Sequence, residues 1–169
     1  MYFKALPKLL YPFNNQKNKT IMPDIFRRVH LDENFKNKMH LITYYIGDNE
    51  TPEFLAEKFY NSTEYHWVIL LVNEIVDVKR EWPMAAEELV KYCKDKYGVS
   101  NTQDIHHWVL KEDKSVIVDW DAVKEQNNEI SSVTNFDYEL AKNEAKREIY
   151  LLDANNLKRI EAQYKKLVK

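Results

Sequence analysis

An almost continuously apolar segment, residues 65–72 (YHWVILLV), most constrains how this chain can fold. Wound into a helix, it presents apolar side chains on nearly every side, and a helix of that kind must be covered on more than one face. Asn61-Ser62-Thr63 precedes it and Asn73 follows it, which are helix-breaking and capping residues. We therefore predict a helix over residues 64–72 at the centre of the hydrophobic core.

A strand and a helix are predicted before this segment. Residues 41–46 (LITYYI) are β-branched or aromatic and end at Gly47-Asp48-Asn49, which indicates a strand followed by a turn. Thr51 is placed to cap a helix and Pro52 to occupy its first position. The apolar side chains of that helix fall on one face: Leu55, Ala56, Phe59 and Tyr60.

A return strand is predicted over residues 76–82. It would close a strand-helix-helix-strand core that spans residues 39–83. A core of this size buries too small a share of its surface to be stable alone, so it needs support from outside.

The segment over residues 1–38 is irregular, with three prolines and a polar stretch at 14–20 that has little to bury. We predict that it is an extended arm. Within it, residues 21–29 (IMPDIFRRV) are more apolar, and Asp24 could cap a short turn that carries Ile25 and Phe26. An arm with this many apolar anchors is expected to lie on another surface.

A helix is predicted at the start of the C-terminal half of the chain. Pro83 opens it, Leu89 and Cys93 lie at helical intervals, and Gly98 stops it. Residues 105–110 and 115–118 then flank a charged turn, which predicts a β-hairpin anchored by Trp108 and Trp120.

The end of the chain is predicted to alternate between loop, helix and strand. Residues 121–132 are polar and read as a loop, and residues 137–146 as a helix. Residues 149–152 (IYLL) form a strand candidate. Asp153 is placed to cap a last amphipathic helix with Leu157, Ile160, Tyr164 and Leu167 on one face.

Together these elements predict an α+β fold in three parts. Residues 1–38 form the extended arm and residues 39–83 the strand-helix-helix-strand core. Residues 84–169 add a helix, a β-hairpin and a C-terminal strand-helix extension.

Aromatic side chains are unusually frequent. The chain has 11 Tyr, 7 Phe and 4 Trp, which is more than one modest core easily hides. Tyr and Trp are common anchors at protein interfaces, although packing in the core is the alternative for each of them. The residues predicted to bind a partner are Tyr11, Phe13, Ile25, Phe26, Arg27, Trp82 and Tyr164.

Composition argues against several classes of function. The chain has 25 Lys or Arg against 27 acidic residues, so its formal charge of -2 offers no broad field for nucleic acid or an anionic membrane. Gly47 and Gly98 are the only glycines, whereas glycine-rich phosphate loops and nucleophile elbows need several. No apolar run approaches the ~20 residues of a membrane span. Cys93 stands alone, which fits folding in a reducing cytoplasm.

The pattern of reactive residues does not indicate a catalytic or metal site. The five histidines lack zinc-ligand spacing, and alternation along a strand would send His106 and His107 to opposite faces. Glu53, Glu57 and Glu64 are expected on a solvated helix face. We predict no enzyme, no cofactor and no metal, and a small hydrolase is the least favoured hypothesis.

The stretch from Tyr44-Tyr45-Ile46-Gly47-Asp48 through the stripe of the following helix resembles a LysM module. LysM modules commonly bind peptidoglycan or chitin beside a Gly-Asp-Thr turn, so the resemblance implies Gly47, Asp48 and Thr51 as glycan-binding residues. This chain departs from the pattern, because Asn49-Glu50 separates Asp48 from Thr51. Its second helix is also far more apolar than that of a free-standing module.

A longer order of motifs resembles the baseplate wedge protein 53 family of contractile-tailed bacteriophages. The motifs are Pro23-Asp24-Ile25-Phe26-Arg27, the LysM-like stretch, Trp82, and Asn143-Glu144-Ala145-Lys146-Arg147 before IYLL, over about residues 20–168. The resemblance implies a non-enzymatic subunit, made in the host cytoplasm and located in the tail baseplate of the virion. Its LysM-like core and extensions would bind other wedge proteins in a hetero-oligomer and help wedges join around the hub.

The alternative that the residues leave open is a LysM-type module that binds peptidoglycan or chitin through the Gly47-Asp48 turn. Neither hypothesis implies a nucleic-acid, membrane or small-molecule partner.

Overall fold

A computed structural model describes residues 6–12, 19–25, 27, 29–31 and 39–168. Helices and strands both occur, which confirms the predicted α+β class. The strands are β1 (Lys8–Pro12), β2 (Lys19–Pro23), β3 (Leu41–Tyr45), β4 (Ile105–Leu110), β5 (Ile117–Val118), β6 (Ile130–Thr134) and β7 (Glu148–Leu152). The α-helices are α1 (Pro52–Tyr60), α2 (His66–Val72), α3 (Val78–Glu81), α4 (Ala86–Tyr97), α5 (Ala122–Gln126), α6 (Asn135–Glu144) and α7 (Leu157–Leu167).

Contacts between residues divide the chain into two compact units. Unit 1 contains the described residues of 1–45 together with 50–81 and 149–168, and unit 2 contains residues 46–49 and 82–148. The strands form two-stranded sheets β1-β2 and β3-β7 and a three-stranded sheet in the order β5-β4-β6. The division predicted at residues 38 and 83 stays a prediction, and the C-terminal strand and helix group with the core elements of unit 1.

The predicted return strand over residues 76–82 is wrong, because that stretch contains helix α3. Its start is fixed by side chains: the Glu81 carboxylate accepts the backbone N–H groups of Val76 and Asp77, and Asp77 accepts that of Lys79. Strand β3 pairs instead with β7. The LysM-like description of the core stays a prediction, but the strand that closes it lies much later in the chain.

Strands β3 and β7 run in opposite directions. The Ile46 N–H donates to the Arg147 carbonyl at 2.8 Å, and the Asp153 N–H donates to the His40 carbonyl at 3.0 Å. The inner side chains Ile149 and Leu151 are buried. The predictions of strands over 41–46 and 149–152 are confirmed to within one or two residues.

Helix α1 begins as the sequence predicts. The Thr51 hydroxyl accepts the Phe54 N–H at 3.2 Å, and Pro52 occupies the start of the helix. Asn61 ends it with a left-handed backbone, a conformation that Asn tolerates well. Leu55, Ala56 and Tyr60 form its buried face.

Helix α2 lies in the core of unit 1, as its composition predicts. The buried side chains lie on more than one side of this seven-residue helix: Trp67, Val68, Ile69 and Val72. From α7, Tyr164 packs against Trp67 with ring centroids 5.0 Å apart, and Ile160 is fully buried. The predicted cap is also confirmed, since Asp153 accepts the Asn155 N–H ahead of α7.

Two side chains, one from α1 and one from the residue after α2, form hydrogen bonds with backbone groups of β7. The Asn73 amide accepts the Tyr150 N–H and donates to the Tyr150 carbonyl, both at 2.7 Å. The Tyr60 hydroxyl accepts the Leu152 N–H at 3.1 Å. These groups would otherwise be available to a further strand, so the side chains protect this edge of the sheet.

Unit 2 contains helices α4 and α6 held together by a buried carboxylate. Glu139 is 6% exposed and accepts hydrogen bonds from Lys96 at 2.7 Å and from the Tyr97 hydroxyl at 2.8 Å. Burial raises the pKa of Glu139, but these hydrogen bonds together outweigh it and hold the pKa below its usual range. Helix α4 ends at Gly98 as predicted, with φ of +88°.

The predicted hairpin in unit 2 is confirmed by the pairing of β4 with β5, but its surroundings differ from the prediction. Trp108 is half-buried, whereas Trp120 is 58% exposed and does not anchor the hairpin. The loop predicted over residues 121–132 is wrong, since it contains α5 and the start of β6. Asp121 caps α5 by accepting the N–H groups of Val123 and Lys124.

We expect the buried Tyr60 hydroxyl to make stability fall in alkaline solution. Burial raises the pKa of Tyr60 to about 12, against an opposing effect of the Leu152 N–H, whereas the unfolded chain ionises near pH 10. The stabilisation is therefore complete below pH 10 and is lost as the pH rises towards 12, by up to about 2 to 3 kcal/mol. Urea unfolding at stepped pH measures this loss.

Tyr60→Phe removes the ionisation and leaves the Leu152 N–H unpaired. The substitution should lower the free energy of unfolding by about 1 kcal/mol at neutral pH, and it should make that free energy fall less steeply between pH 10 and pH 12. Tyr150→Phe, which alters a side chain that is 48% exposed, is the matched control and should keep the wild-type slope. If the stability of Tyr60→Phe falls as steeply at high pH as that of the wild type, ionisation of Tyr60 is not the cause of the loss.

Candidate interaction surface

Strands β1 and β2 form an antiparallel hairpin in which Leu10 lies opposite Ile21. Lys8 pairs with Pro23 and Pro12 with Lys19, while Leu9 and Met22 form the pair next to Leu10. Because partners across a ladder share a face and successive residues alternate, one face carries six of these side chains. We call it the hairpin face: Lys8, Leu10, Pro12, Lys19, Ile21 and Pro23.

Every side chain of the hairpin face is exposed. Leu10 is 60% exposed and Ile21 is 64% exposed, and both prolines and both lysines are exposed as well. A single large apolar residue on a surface needs no explanation, but a paired set on a two-stranded sheet does. Covering Leu10 and Ile21 would contribute roughly 1 kcal/mol or more for each side chain.

The opposite face of the hairpin is partly covered. Leu9 and Met22 are half-buried, and Leu6 just before the hairpin is buried. The Asp24 N–H donates to the Pro7 carbonyl at 2.8 Å, which extends the pairing beyond the two strands. The hairpin therefore has one supported face and one open face, and two strands alone are only marginally stable in water.

The residues predicted to bind a partner fall into three groups. Tyr11, Ile25 and Arg27 are exposed, with Tyr11 at 45% and Ile25 at 57%. Trp82 and Tyr164 are buried, so their side chains contribute to packing within the chain. Phe13 and Phe26 lie outside the described residues. The binding role of all seven stays a prediction.

The predicted glycan-binding residues are occupied by contacts within the chain. Asp48 pairs with Arg147 at 2.5 Å, and Thr51 caps helix α1. Gly47 is exposed. Glycan binding at this turn stays a prediction, and replacing Asp48 would remove an ion pair as well as any contact to a sugar.

A second set of polar contacts lies beside this turn in unit 1. The Tyr44 hydroxyl donates to the Glu50 carboxylate at 2.8 Å, and Lys58 donates to Glu50 at 3.1 Å and to the Tyr44 oxygen at 2.9 Å. The hydrogen bond to Tyr44, followed by that to Glu50, raises the pKa of Lys58. The three polar groups satisfy one another, so they join β3 to α1.

Arg147 is the most heavily used charged side chain near the turn. It is 7% exposed, and its guanidinium donates to Glu144 at 2.8 Å, to the Ile46 carbonyl at 3.0 Å and to Asp48. Burial lowers the pKa of Arg147, but the hydrogen bonds to Glu144 and Asp48 outweigh it and raise the pKa above its ordinary value. One planar group thus ties the turn after β3 to the start of β7.

The prediction that His106 and His107 point to opposite faces is wrong. A bulge in β4 between Ile105 and His107 breaks the alternation, and the two Nδ1 atoms lie 2.8 Å apart. Tyr138 stacks on the His106 ring with centroids 4.0 Å apart. Within the described parts of the chain, no group of three or more His, Cys, Asp or Glu side chains could hold a metal ion.

Sequence reasoning missed the exposure of Leu10 and Ile21 and the burial of Arg147. The available signal for the hairpin was the pair of β-prone runs around residues 8–12 and 19–23, which the intervening polar segment obscured. For Arg147 the signal was its place in the motif Asn143-Glu144-Ala145-Lys146-Arg147, just before an apolar strand. Among the described residues, no helix is both long enough and apolar enough to span a bilayer.

Comparison with known proteins gives a family for the chain. The family described as "Base plate wedge protein 53" matches residues 1–157. The chain belongs to the baseplate wedge protein 53 family. Family membership supports a structural role in a phage tail baseplate, as the order of motifs predicts.

A curated member of the family is the "Baseplate wedge protein gp53" of Enterobacteria phage T4. It is 33% identical over 98 residues, which cover 55% of this chain and 49% of that protein. The match therefore spans about half the length of this relative.

The motif Asn143-Glu144-Ala145-Lys146-Arg147 before β7 has a structural role in this chain. The Asn143 amide accepts the Met84 N–H at 2.7 Å and donates to the Met84 carbonyl at 2.9 Å. Glu144 and Arg147 form the ion pair described above. In this member of the baseplate wedge protein 53 family, the motif thus fixes the end of α6 and the entry to β7.

We expect Arg147→Ala to destabilise the protein by about 2 to 4 kcal/mol, because it leaves the Ile46 carbonyl and two carboxylates without their donor. Urea unfolding at pH 7 measures the change. Arg80→Ala is the matched control, because its pair with Asp77 is exposed and should matter little. Equal stability of the two variants would contradict the role given to Arg147.

Proposed function

We propose that the chain is a non-enzymatic subunit of a baseplate wedge and that it binds neighbouring wedge proteins through its N-terminal hairpin. The single observation that carries this proposal is the exposed Leu10–Ile21 pair on a hairpin with one supported face. Family membership supports the baseplate as the setting. The subunit would be made in the host cytoplasm and incorporated into the tail of the virion.

The hairpin fits a binding role better than the buried aromatic residues do. Its apolar side chains are available without any rearrangement of the core, whereas Tyr164 would have to leave Trp67. Ile25 and Arg27 follow the hairpin directly and are exposed, so they extend the same segment. The proposed surface therefore comprises the hairpin face, Ile25 and Arg27, whereas Tyr11 points to the opposite face of the hairpin.

Burial of this surface by a partner would also stabilise the hairpin itself. A two-stranded sheet becomes stable when a further layer covers its apolar face. Binding and ordering of this segment are thus expected to be coupled, and the affinity is lower than the contact area alone suggests. Such an interface forms most readily inside an assembly, where other contacts hold the partners together.

The test replaces both exposed side chains at once, as Leu10→Ser with Ile21→Ser. We expect the variant to fold with near-wild-type stability, because both side chains are mostly exposed, but to be lost from wedge complexes. Co-purification with the other wedge proteins and particle assembly in a complementation assay measure the effect.

The matched control replaces two exposed valines elsewhere, as Val90→Ser with Val99→Ser, at 38% and 75% exposure. It should assemble normally. Normal assembly of the hairpin variant, with its fold verified by circular dichroism, would overturn the proposal. Loss of assembly in both variants would show that the hairpin has no special part.

A further inference from the structure

The segment that contains the hairpin is strongly basic, although the chain as a whole is slightly acidic. Residues 1–31 carry six Lys or Arg and one Asp, a formal charge of +5, which leaves -7 for the rest of a chain whose formal charge is -2. Lys8 and Lys19 lie on the hairpin face itself, beside Pro23 and Pro12. The hairpin face is therefore an apolar patch with a lysine at each of two opposite corners.

Unit 2 presents a surface of the complementary kind over residues 116–125. Its apolar side chains are exposed: Val116 at 40%, Ile117 at 68%, Trp120 at 58% and Val123 at 65%. Three exposed acids, Asp119, Asp121 and Glu125, alternate with them, against one base, Lys124. We call this stretch the acidic apolar segment.

The acidic apolar segment has a defined structure that holds its side chains at the surface. Asp121 caps α5, and the Trp120 Nε1–H donates to Glu125 at 2.8 Å. This bond fixes the indole beside α5 while leaving 58% of Trp120 exposed. Trp is among the side chains enriched near the centres of protein interfaces, where its apolar area is covered.

We propose that the hairpin face of one copy docks on the acidic apolar segment of a second copy. Apolar side chains would meet apolar side chains, and Lys8 and Lys19 would face Asp119 and Glu125. The two surfaces are different, so the contact is heterologous and can continue from copy to copy into a ring. This inference rests on the proposed function and names the partner that the hairpin binds.

Charge complementarity favours a second copy over an unrelated occupant. Every copy carries both surfaces, with Lys8 and Lys19 on the hairpin face and exposed Asp119, Asp121 and Glu125 on the acidic apolar segment, and opposite charges steer association. The hairpin face is small, so the contact is weak between free molecules and strong where copies are held close together. Trapping the contact covalently is therefore the suitable test.

The test mixes two full-length variants, Ile21→Cys on one and Ile117→Cys on the other, under mild oxidation. Cys93 is buried and does not compete. We expect the mixed disulfide dimer to form at least about fivefold above a control mixture of Ile21→Cys with Val99→Cys, measured by mass spectrometry. Cross-linking within assembled baseplates repeats the measurement in the native setting.

A charge exchange makes the test independent of folding. Lys8→Glu with Lys19→Glu on the first chain should lower the yield severalfold, as should Asp119→Lys on the second, which leaves the Glu125 contact to Trp120 intact. Combining the two reversed chains should restore the yield, because the signs are again opposite. Lys91→Glu with Lys94→Glu is the matched control and should leave the yield of mixed disulfide dimer unchanged.

A yield equal to that of the Val99→Cys mixture, in solution and in baseplates, would overturn the proposal. If Leu10→Ser with Ile21→Ser still prevents assembly in that case, the proposed function stands and the hairpin binds a different wedge protein. If that variant assembles normally, both fail. Restored yield on charge exchange would support docking between copies.

Discussion

The pairing of β3 with β7 is the constraint on which the rest of the structure depends. Its two strands are separated by most of unit 2, and the Arg147 guanidinium reaches the Ile46 carbonyl across 101 residues of sequence. Closing so long a loop carries an entropy cost that the contacts between the two strands must offset. The pairing of β3 with β7 is stabilised by buried apolar side chains and by the hydrogen bonds of Arg147. The side chains of Asn73 and Tyr60 add hydrogen bonds to the backbone of β7.

Local signals predicted the elements that depend on local chemistry. Thr51 and Asp153 cap helices because a side-chain oxygen there meets unpaired N–H groups, whatever the rest of the chain does. Gly98 ends α4 because its positive φ strains other residues. The all-round apolar composition of α2 likewise predicted its burial, since few alternatives exist for such a helix.

Elements that depend on distant partners could not be predicted in this way. A return strand is predicted over residues 76–82, but the Glu81 carboxylate holds a helical turn there, and β3 pairs with β7. Strand β6 contains two serines, so its identity comes from the β4 ladder. Strand register also decides two other features, the bulge that brings His106 and His107 together and the hairpin that exposes Leu10. Register depends on which residues pair across strands, and local sequence patterns do not determine that pairing.

The outer edge of β7 is protected by side chains, whereas the hairpin face is exposed, and this contrast fits an assembly role. Along β7, the side chains of Asn73 and Tyr60 form hydrogen bonds with backbone groups that a strand of another protein could otherwise pair with. The hairpin face has no comparable protection: Leu10 and Ile21 stay open between two lysines. An open apolar pair of this kind is what the proposed function requires, since a partner could cover Leu10 and Ile21 without disturbing the core.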